Sequence, residues 1–241
     1  MKALILAAGI GKRLKSNIPK ILLKINNKTL LERHYENLLN YGIKEIGIVV
    51  GYKSNLIKKF ISKIDKEKVI KIFNNSNYKM GSIVSLICAS KFFNKNNDLI
   101  LMDGDVLYDK KILKKLIKSK KRNCLLLDRN FEEGDEPVKV CIKNNKICDF
   151  GKIISNNFDY VGESVGFFRF SNSSSKKILE NARTIMKSNN NEMYEEAIRK
   201  VIINKIFTID FEDITNLSWT EIDYKKDLVL AKKKILHQIN E

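Results

Sequence analysis

Two glycines and four cations follow the first apolar run of the chain, in LILAAGIGKRLKSNIPK at residues 4–20. A tight turn at Gly9 and Gly11 leaves bare amides that can cradle phosphate oxygens. Lys12, Arg13 and Lys20 supply counter-charge, and Pro19 fixes the backbone just before Lys20. The plainer alternative is a strand-to-helix turn with solvated lysines. The dinucleotide fingerprint needs a small residue where Leu14 stands, and the P-loop spacing is absent. Farther on, Asp103 and Asp105 close an apolar run in LILMDGDVLYD. Two carboxylates that close repel each other, and burying them is costly unless a cation lies near. Mg²⁺ held by carboxylates and triphosphate oxygens answers that need. A turn with side-chain-to-backbone hydrogen bonds is the alternative. In WTEIDYKKDL, Glu221 and Asp223 alternate around Ile222 and offer Asp105 a distant partner.

Other positions suit ligand recognition. Gly81-Ser82 in NNSNYKMGSIVSL opens a helix, so its amides and hydroxyl can read the edge of a base, or Ser82 is an ordinary N-cap. For a second substrate the candidates are Arg129, Lys139, Lys152, Glu163 and the Tyr194-Glu195 pair. The lysines could equally be solvated. Glu163 is flanked by apolar residues, an unusual setting for a surface carboxylate. A Glu and a Tyr beside the acceptor suit an amine-bearing molecule.

These residues need elements to position them. ALILAA (3–8), EIGIVVGY (45–52) and DLILMDGD (98–105) are β-branched apolar runs. Between them lie a helix in KTLLERHYENLLNYG with Gly42 as C-cap, a second in SNLIKKFISKI, a strand in VIKIFNN and a helix over SIVSLICASKFF. The alternation predicts a parallel α/β sheet whose site lies at the carboxyl ends of the strands. Beyond residue 108 the spacing predicts a basic helix at 110–121, strands in NCLLLDR and YVGESVGFFRFS, and a hairpin through Asn144-Asn145. Helices follow in SKKILENARTIMKS and MYEEAIRKVI. Strands in IFTIDFED and LSWTEID and a closing helix over 224–239 complete the chain. With only Pro19 and Pro137 present, no proline-rich linker divides it. One domain over 1–241 is expected, with a nucleotide-binding half at 1–108 and an acceptor-binding half with the closing helix at 109–241.

Composition narrows the class. The net charge is +17, yet only seven of 45 basic residues are Arg, and the lysines spread from end to end. A nucleic-acid face would cluster Arg with aromatics, so nucleic-acid binding is not expected. No 18-residue apolar run exists, and the N-terminal run is too short for a signal peptide, so neither membrane insertion nor export is expected. The expectation is a cytoplasmic protein, monomeric or homo-oligomeric. Cys88, Cys124, Cys141 and Cys148 lack metal-ligand spacing, and only His34 and His237 could join them, so reduced thiols are expected. His34 falls inside the first amphipathic helix.

The string LILAAGIGKRL followed by Pro19-Lys20 resembles the L-A-A-G-x-G-x-R…P-K signature of the nucleotidyltransferase superfamily. FNNSNYKMGSIVSL, MDGDVLYD and WTEIDYKKDL extend the likeness over nearly the whole chain, toward small CTP-dependent cytidylyltransferases. The resemblance implies a Rossmann-like (GT-A type) domain with a mixed, mainly parallel sheet flanked by helices. It implies that Leu6, Ala7, Ala8, Gly9 and Gly11 lie against base, ribose and phosphates, with Lys12 and Asp103 nearby. Family members often carry Ser or Thr where Lys12 stands. By the same resemblance Arg13 and Lys20 hold phosphates, Asp105 and Asp223 bind Mg²⁺, and the Gly81-Ser82 loop reads cytosine. The implied reaction transfers CMP from CTP to a phosphorylated or phosphonate acceptor bearing an amine: phosphocholine, 2-aminoethylphosphonate or phosphoglutamine. The product serves surface polysaccharide or lipid decoration. A nucleotidyltransferase using another nucleotide and a sugar phosphate or molybdopterin, a nucleotide-sensing domain without turnover, and a basic nucleic-acid-binding protein are the rival readings.

Overall fold

The structure is a computed structural model that describes residues 1–94, 96–132, 134–154 and 157–239. In chain order the first half contains β1 (Lys2–Ala7), a two-residue ribbon of β2 (Lys24–Ile25) and β3 (Lys28–Thr29), α1 (Leu30–Asn40), β4 (Ile46–Val50) and α2 (Ser54–Ile64). Then come β5 (Ile70–Asn74), α3 (Ser82–Cys88), α4 (Ser90–Phe93), β6 (Leu99–Asp103) and β7 (Val106–Tyr108). The second half holds α5 (Lys110–Lys118), β8 (Cys124–Asp128), β9 (Lys139–Lys143), β10 (Lys146–Gly151) and β11 (Tyr160–Phe170). It closes with α6 (Asn172–Ser188), α7 (Glu195–Ile203), β12 (Asp210–Asp213), β13 (Trp219–Glu221) and α8 (Lys225–Leu230).

The main sheet runs β10-β9-β11-β6-β1-β4-β5, with β8 pairing β11 and β12 pairing β8. The β6-β1-β4-β5 block is parallel, and β11 joins it antiparallel to β6. Both halves of the chain therefore share one mixed sheet. β4 is buried along its whole length, as a strand covered by helices on both faces must be. One face packs against α3, α4, α6 and α7 around Phe168, Phe170, Ile178 and Ile198. The other packs against α1, α2 and α5 around Leu31, Leu38, Ile57 and Leu113. A smaller core beneath the C-terminal helix gathers Leu14, Ile25, Leu107, Ile222 and Ile235.

Local chemistry accounts for the ends of these elements. Thr29 and Glu32 form a capping box at the start of α1. At its end, Gly42 has φ 75° and donates to Leu39 O, while Ile43 donates to Leu38 O, a Schellman closure. Asn144 and Asn145 both have positive φ, the type I′ turn that the Asn pair predicts for the β9–β10 hairpin.

Four expectations are corrected. The helix over 82–93 breaks at Ala89 into two pieces, an arrangement that buries both Phe92 and Phe93, each worth about 1.5–3 kcal/mol relative to exposure. The strand over 206–213 is confined to β12, because Lys205 takes positive φ and Ile206 turns outward after α7. The closing helix is not uniform: Ala231–Ile235 is π-helical between α8 and a last turn at Leu236–Gln238. Gly81, not Ser82, occupies the N-cap of α3. Among the described residues no helix is long and apolar enough to cross a membrane.

Candidate active site

The loop after β1 begins with open backbone at Gly9, where an added Cβ would meet nothing within 4 Å. Gly11 takes φ 65° and starts a short 3-10 turn over Lys12–Leu14, with Leu14 buried as its anchor. Its missing side chain matters for a second reason: a Cβ there would lie 3.1 Å from Lys20 Cγ. The Lys20 stem thus runs along the glycine. Pro19 caps the second 3-10 turn, Lys20–Leu22, and turns Lys20 inward. Lys12 is exposed, and Leu6, Ala7 and Ala8 line the strand end beneath the loop.

The ends of β6 and β13 meet this loop. Gly104 N–H donates to Leu6 O at 3.0 Å, which fixes the Asp103-Gly104-Asp105 turn against β1. His34, from α1, packs under the same turn with Nε2 3.3 Å from Gly104 O. Burial holds its imidazole down at about 4, so the ring is neutral and donates to that carbonyl. β13 pairs antiparallel with β7, and Ile222 N–H donates to Asp105 O at 3.0 Å. Ile222 is buried in the small core, so its neighbours Glu221 and Asp223 point the opposite way, toward Asp105. Carboxylate oxygens of Asp105, Glu221 and Asp223 all lie within 4.8 Å of one another.

Lys20 Nζ donates to Asp105 Oδ2 at 2.7 Å and to Asp223 Oδ1. Burial disfavours its charge, yet Asp105 and Asp223 hold the ammonium above its usual range. Arg13 donates to Asp223 Oδ2, pairs with Glu136, and stacks its guanidinium 5.0 Å from the Tyr224 ring. Lys152 reaches the other oxygen of Glu136 at 3.0 Å, and Tyr224 OH donates to Glu136 at 3.1 Å. Hydrogen bonds from Arg13 and Lys152 hold the Glu136 carboxyl at about 2. Asp227 accepts from the amides of Asp223 and Tyr224 and so orients the end of β13.

Beside these groups opens a cleft of about 530 Å³, walled by Asp128, Glu163, Tyr194, Glu195, Trp219 and Glu221 among others. Asp103 is at its floor, where Tyr194 OH donates to Asp103 Oδ2 at 2.9 Å. Gly166 makes that arrangement possible. It has φ 77°, and a Cβ there would stand 2.1 Å from Asp103 Oδ2. Burial, then the charges of Glu195, Asp105 and Glu221, push the Asp103 carboxyl well above the usual range. Glu221 stays open to solvent, and the desolvation of its carboxyl, with the charges of Asp105 and Asp223, pushes it upward only as far as that water allows. Burial and Asp128, its partner across β8 and β11, push Glu163 up to about 7. Trp219 Nε1 donates to Asp128 Oδ2 at 2.8 Å. The wall is acidic and aromatic, a surface that attracts a cation.

The structure therefore brings Arg13, Asp103, Asp223, Lys152, Glu163 and Tyr194 to one cleft, and Lys20 joins Asp105 to its edge through Asp223. Two expectations are placed elsewhere. Lys139 does not line the cleft; its ammonium donates to Gly134 O at 2.6 Å and Lys152 O at 3.2 Å, tying down the loop before β9. Arg129 does not line the cleft either; it pairs with Asp213, at the end of β12, at 2.8 Å. Gly81 and Ser82 are near the cleft but engaged: Gly81 N–H donates to Asn190 O, and Ser82 Oγ accepts from Tyr194 N–H. Glu136, Asp128 and Trp219 were not singled out from sequence. Glu136 lies in the acidic stretch EEGDEP, which gives no local sign of pairing with Arg13.

Comparison with known proteins agrees with this architecture. The MobA-like NTP transferase domain matches residues 3–149. A CTP:phosphoglutamine cytidylyltransferase of Campylobacter jejuni subsp. jejuni serotype O:2 is 28% identical, over 97% of this chain and the whole of that protein. A bifunctional protein GlmU of Fervidobacterium nodosum is 27% identical over 99% of this chain, which spans about half of that protein's length, 52%. The structure of an inositol-1-phosphate CTP transferase from T. maritima superposes with a TM-score of 0.79 at 21% identity, covering 100% of this chain and 98% of the other. With the matched segment spanning β1 to β10 and the loop, turn and sheet that it contains, the chain belongs to the MobA-like NTP transferase domain family.

Proposed function

We propose that the protein is a Mg²⁺-dependent cytidylyltransferase that moves CMP from CTP to a small acceptor carrying a phosphate or phosphonate and an amine. The observation that carries this reading is the meeting of Lys20 and Arg13 with Asp105 and Asp223 beside an acidic and aromatic cleft. The similarity to a CTP:phosphoglutamine cytidylyltransferase along its full length supports the choice of nucleotide and acceptor class.

The donor set fits a hard divalent cation: three carboxylates within 4.8 Å of one another, now balanced by the Lys20 ammonium and the Arg13 guanidinium. Asp105 and Asp223, with Glu221, would hold Mg²⁺, which when bound supplies charge neutralisation for the triphosphate. The chain's own residues do the rest. Backbone of the Gly9–Gly11 loop cradles phosphate oxygens, and Lys20 and Arg13 exchange their carboxylate partners for phosphate oxygens. An ionised oxygen of the acceptor phosphate attacks the α-phosphorus of CTP. The new P–O bond forms as the α-phosphorus–oxygen bond to the β-phosphate breaks, and pyrophosphate leaves with the electron pair. The attacking oxygen is already anionic, so no general base is required, in keeping with His34 lying neutral beneath the turn. Asp128, Glu163, Tyr194 and Trp219 wall the cleft along which the amine-bearing acceptor lies. The product, an acceptor activated as a cytidine diphosphate conjugate, suits later transfer to a surface polysaccharide or lipid.

The test is pyrophosphate release with Mg²⁺, each of the four nucleoside triphosphates, and phosphocholine, 2-aminoethylphosphonate, phosphoglutamine and common sugar phosphates. Release with CTP and one amine-bearing acceptor, lost in Asp105→Asn and Asp223→Asn proteins that keep their fold by circular dichroism, is expected. Release only with another nucleotide and a sugar phosphate overturns the cytidylyl assignment. Full activity in either variant overturns the assignment of the carboxylates.

A further inference from the structure

A second cavity, of about 230 Å³, opens beside the main cleft. Val138, Lys152, Met193 and Glu195 border both spaces, so the two meet at those four residues. The end of β10, at Phe150 and Gly151, forms one wall of the side cavity, and Glu195, Glu196 and Arg199 of α7 form another. The junction carries opposite charges at close range. Glu195 Oε2 is buried there and has no hydrogen-bond partner among the described residues. Lys152 is close enough to act on the Glu195 carboxyl, yet burial prevails and pushes that carboxyl up to about 7. The Lys152 ammonium itself is engaged at the rim by Glu136, whose side chain is half exposed and so readily exchanged for another anion.

A buried acceptor atom without a donor is costly, and a ligand that brings a donor relieves that cost. A bare ammonium would meet Glu195 but be repelled by Lys152. An ammonium and a carboxylate borne on one carbon satisfy both. Val138, Phe150 and Met193 offer the apolar surface that the intervening methylenes of such a molecule need.

We propose that the side cavity takes the distal end of the acceptor, and that this end is the zwitterionic head of an α-amino acid, its ammonium on Glu195 and its carboxylate toward Lys152. The proposal rests on the acceptor cleft of the reading above and narrows its acceptor class to a phosphorylated amino-acid side chain.

Calorimetric binding tests it without turnover, with phosphoglutamine as the zwitterionic probe and 2-aminoethylphosphonate as the amine-only probe, each with and without a non-hydrolysable CTP analogue. The zwitterion is expected to bind at least tenfold tighter. Lys152→Met should abolish that difference, weakening the zwitterion while leaving 2-aminoethylphosphonate bound at least as tightly as before. Glu195→Gln should weaken the zwitterion at least tenfold and leave the affinity for the CTP analogue within twofold. Equal affinities for the two probes, a preference that survives Lys152→Met, or no binding of either probe overturns the proposal. Binding as expected with no pyrophosphate released from CTP leaves the side cavity's assignment standing and removes the cytidylyltransferase reading instead.

Discussion

Replacing Lys20 by Met should make the protein bind a divalent cation better while making it a far worse enzyme. The Lys20 ammonium donates to both Asp105 and Asp223, and the three side chains are 16%, 21% and 15% exposed. Any cation that enters among these carboxylates without nucleotide must displace it. A hydrogen bond to a charged group contributes about 1.5–3 kcal/mol, so two of them set an upper bound of about 3–6 kcal/mol. Water at the cleft mouth screens both states, and halving the bound leaves about 1.5–3 kcal/mol. At 1.4 kcal/mol per decade that is roughly a 10- to 150-fold gain in affinity. Mn²⁺ titration followed by electron paramagnetic resonance reads it directly in nucleotide-free protein. The Lys20→Met/Asp105→Asn double variant should lose the gain. With CTP and acceptor, Lys20→Met should lose about a hundredfold or more in kcat, the scale for removing one preorganised charge-stabilising group. Equal or weaker Mn²⁺ binding in Lys20→Met would refute the idea that the ammonium occupies the place of a cation.

Two further outcomes follow from the cleft walls. Gly166→Ala should destabilise the protein by at least about 1–3 kcal/mol in urea unfolding, because φ 77° is a left-handed backbone and the new Cβ would stand 2.1 Å from Asp103 Oδ2; an unchanged midpoint would mean that Asp103 moves aside freely. Glu163 carries a carboxyl raised to about 7 from an ordinary 4.5, so the folded state retains a proton that the unfolded state loses, and stability falls as pH rises from about 4.5 to about 7. Glu163→Gln should therefore raise Tm more at pH 8 than at pH 5, and an equal shift at both would show that Glu163 does not titrate this way.

The parallel half of the fold was legible because its strands are continuous apolar runs and its helices carry clean 3.6-residue spacing, as in α1 and α2. The Asn144-Asn145 hairpin was legible from turn chemistry alone. What failed was what tertiary contacts decide. Nothing local marks Ala89 as a break; the need to bury Phe92 and Phe93 together does. Within the site, alternation in WTEID already separated Ile222 from Glu221 and Asp223, and the structure adds Glu221 to the carboxylate group that the resemblance drew from Asp105 and Asp223. Lys139 was misjudged because a lysine on a strand carries no sign of which carbonyls it will reach. Glu136 is not legible in the sequence because Arg13 lies far from it along the chain and nothing in EEGDEP marks either ion pair.

The short pairing of β13 with β7 has a consequence for the order in which the protein is made. Lys20 is 85 residues from Asp105 but 203 from Asp223, and all nine strands of the main sheet are complete by residue 213. A chain emerging from the ribosome can therefore assemble its whole sheet, with Lys20 beside Asp105, before the last carboxylate exists. Long-range closures of this kind form late, after local and early contacts have reduced the entropy of the loop. The Lys20 ammonium thus meets Asp105 first and gains Asp223 only when the segment at 219–223 docks on β7, which brings Glu221 and Asp223 to Asp105 in one step.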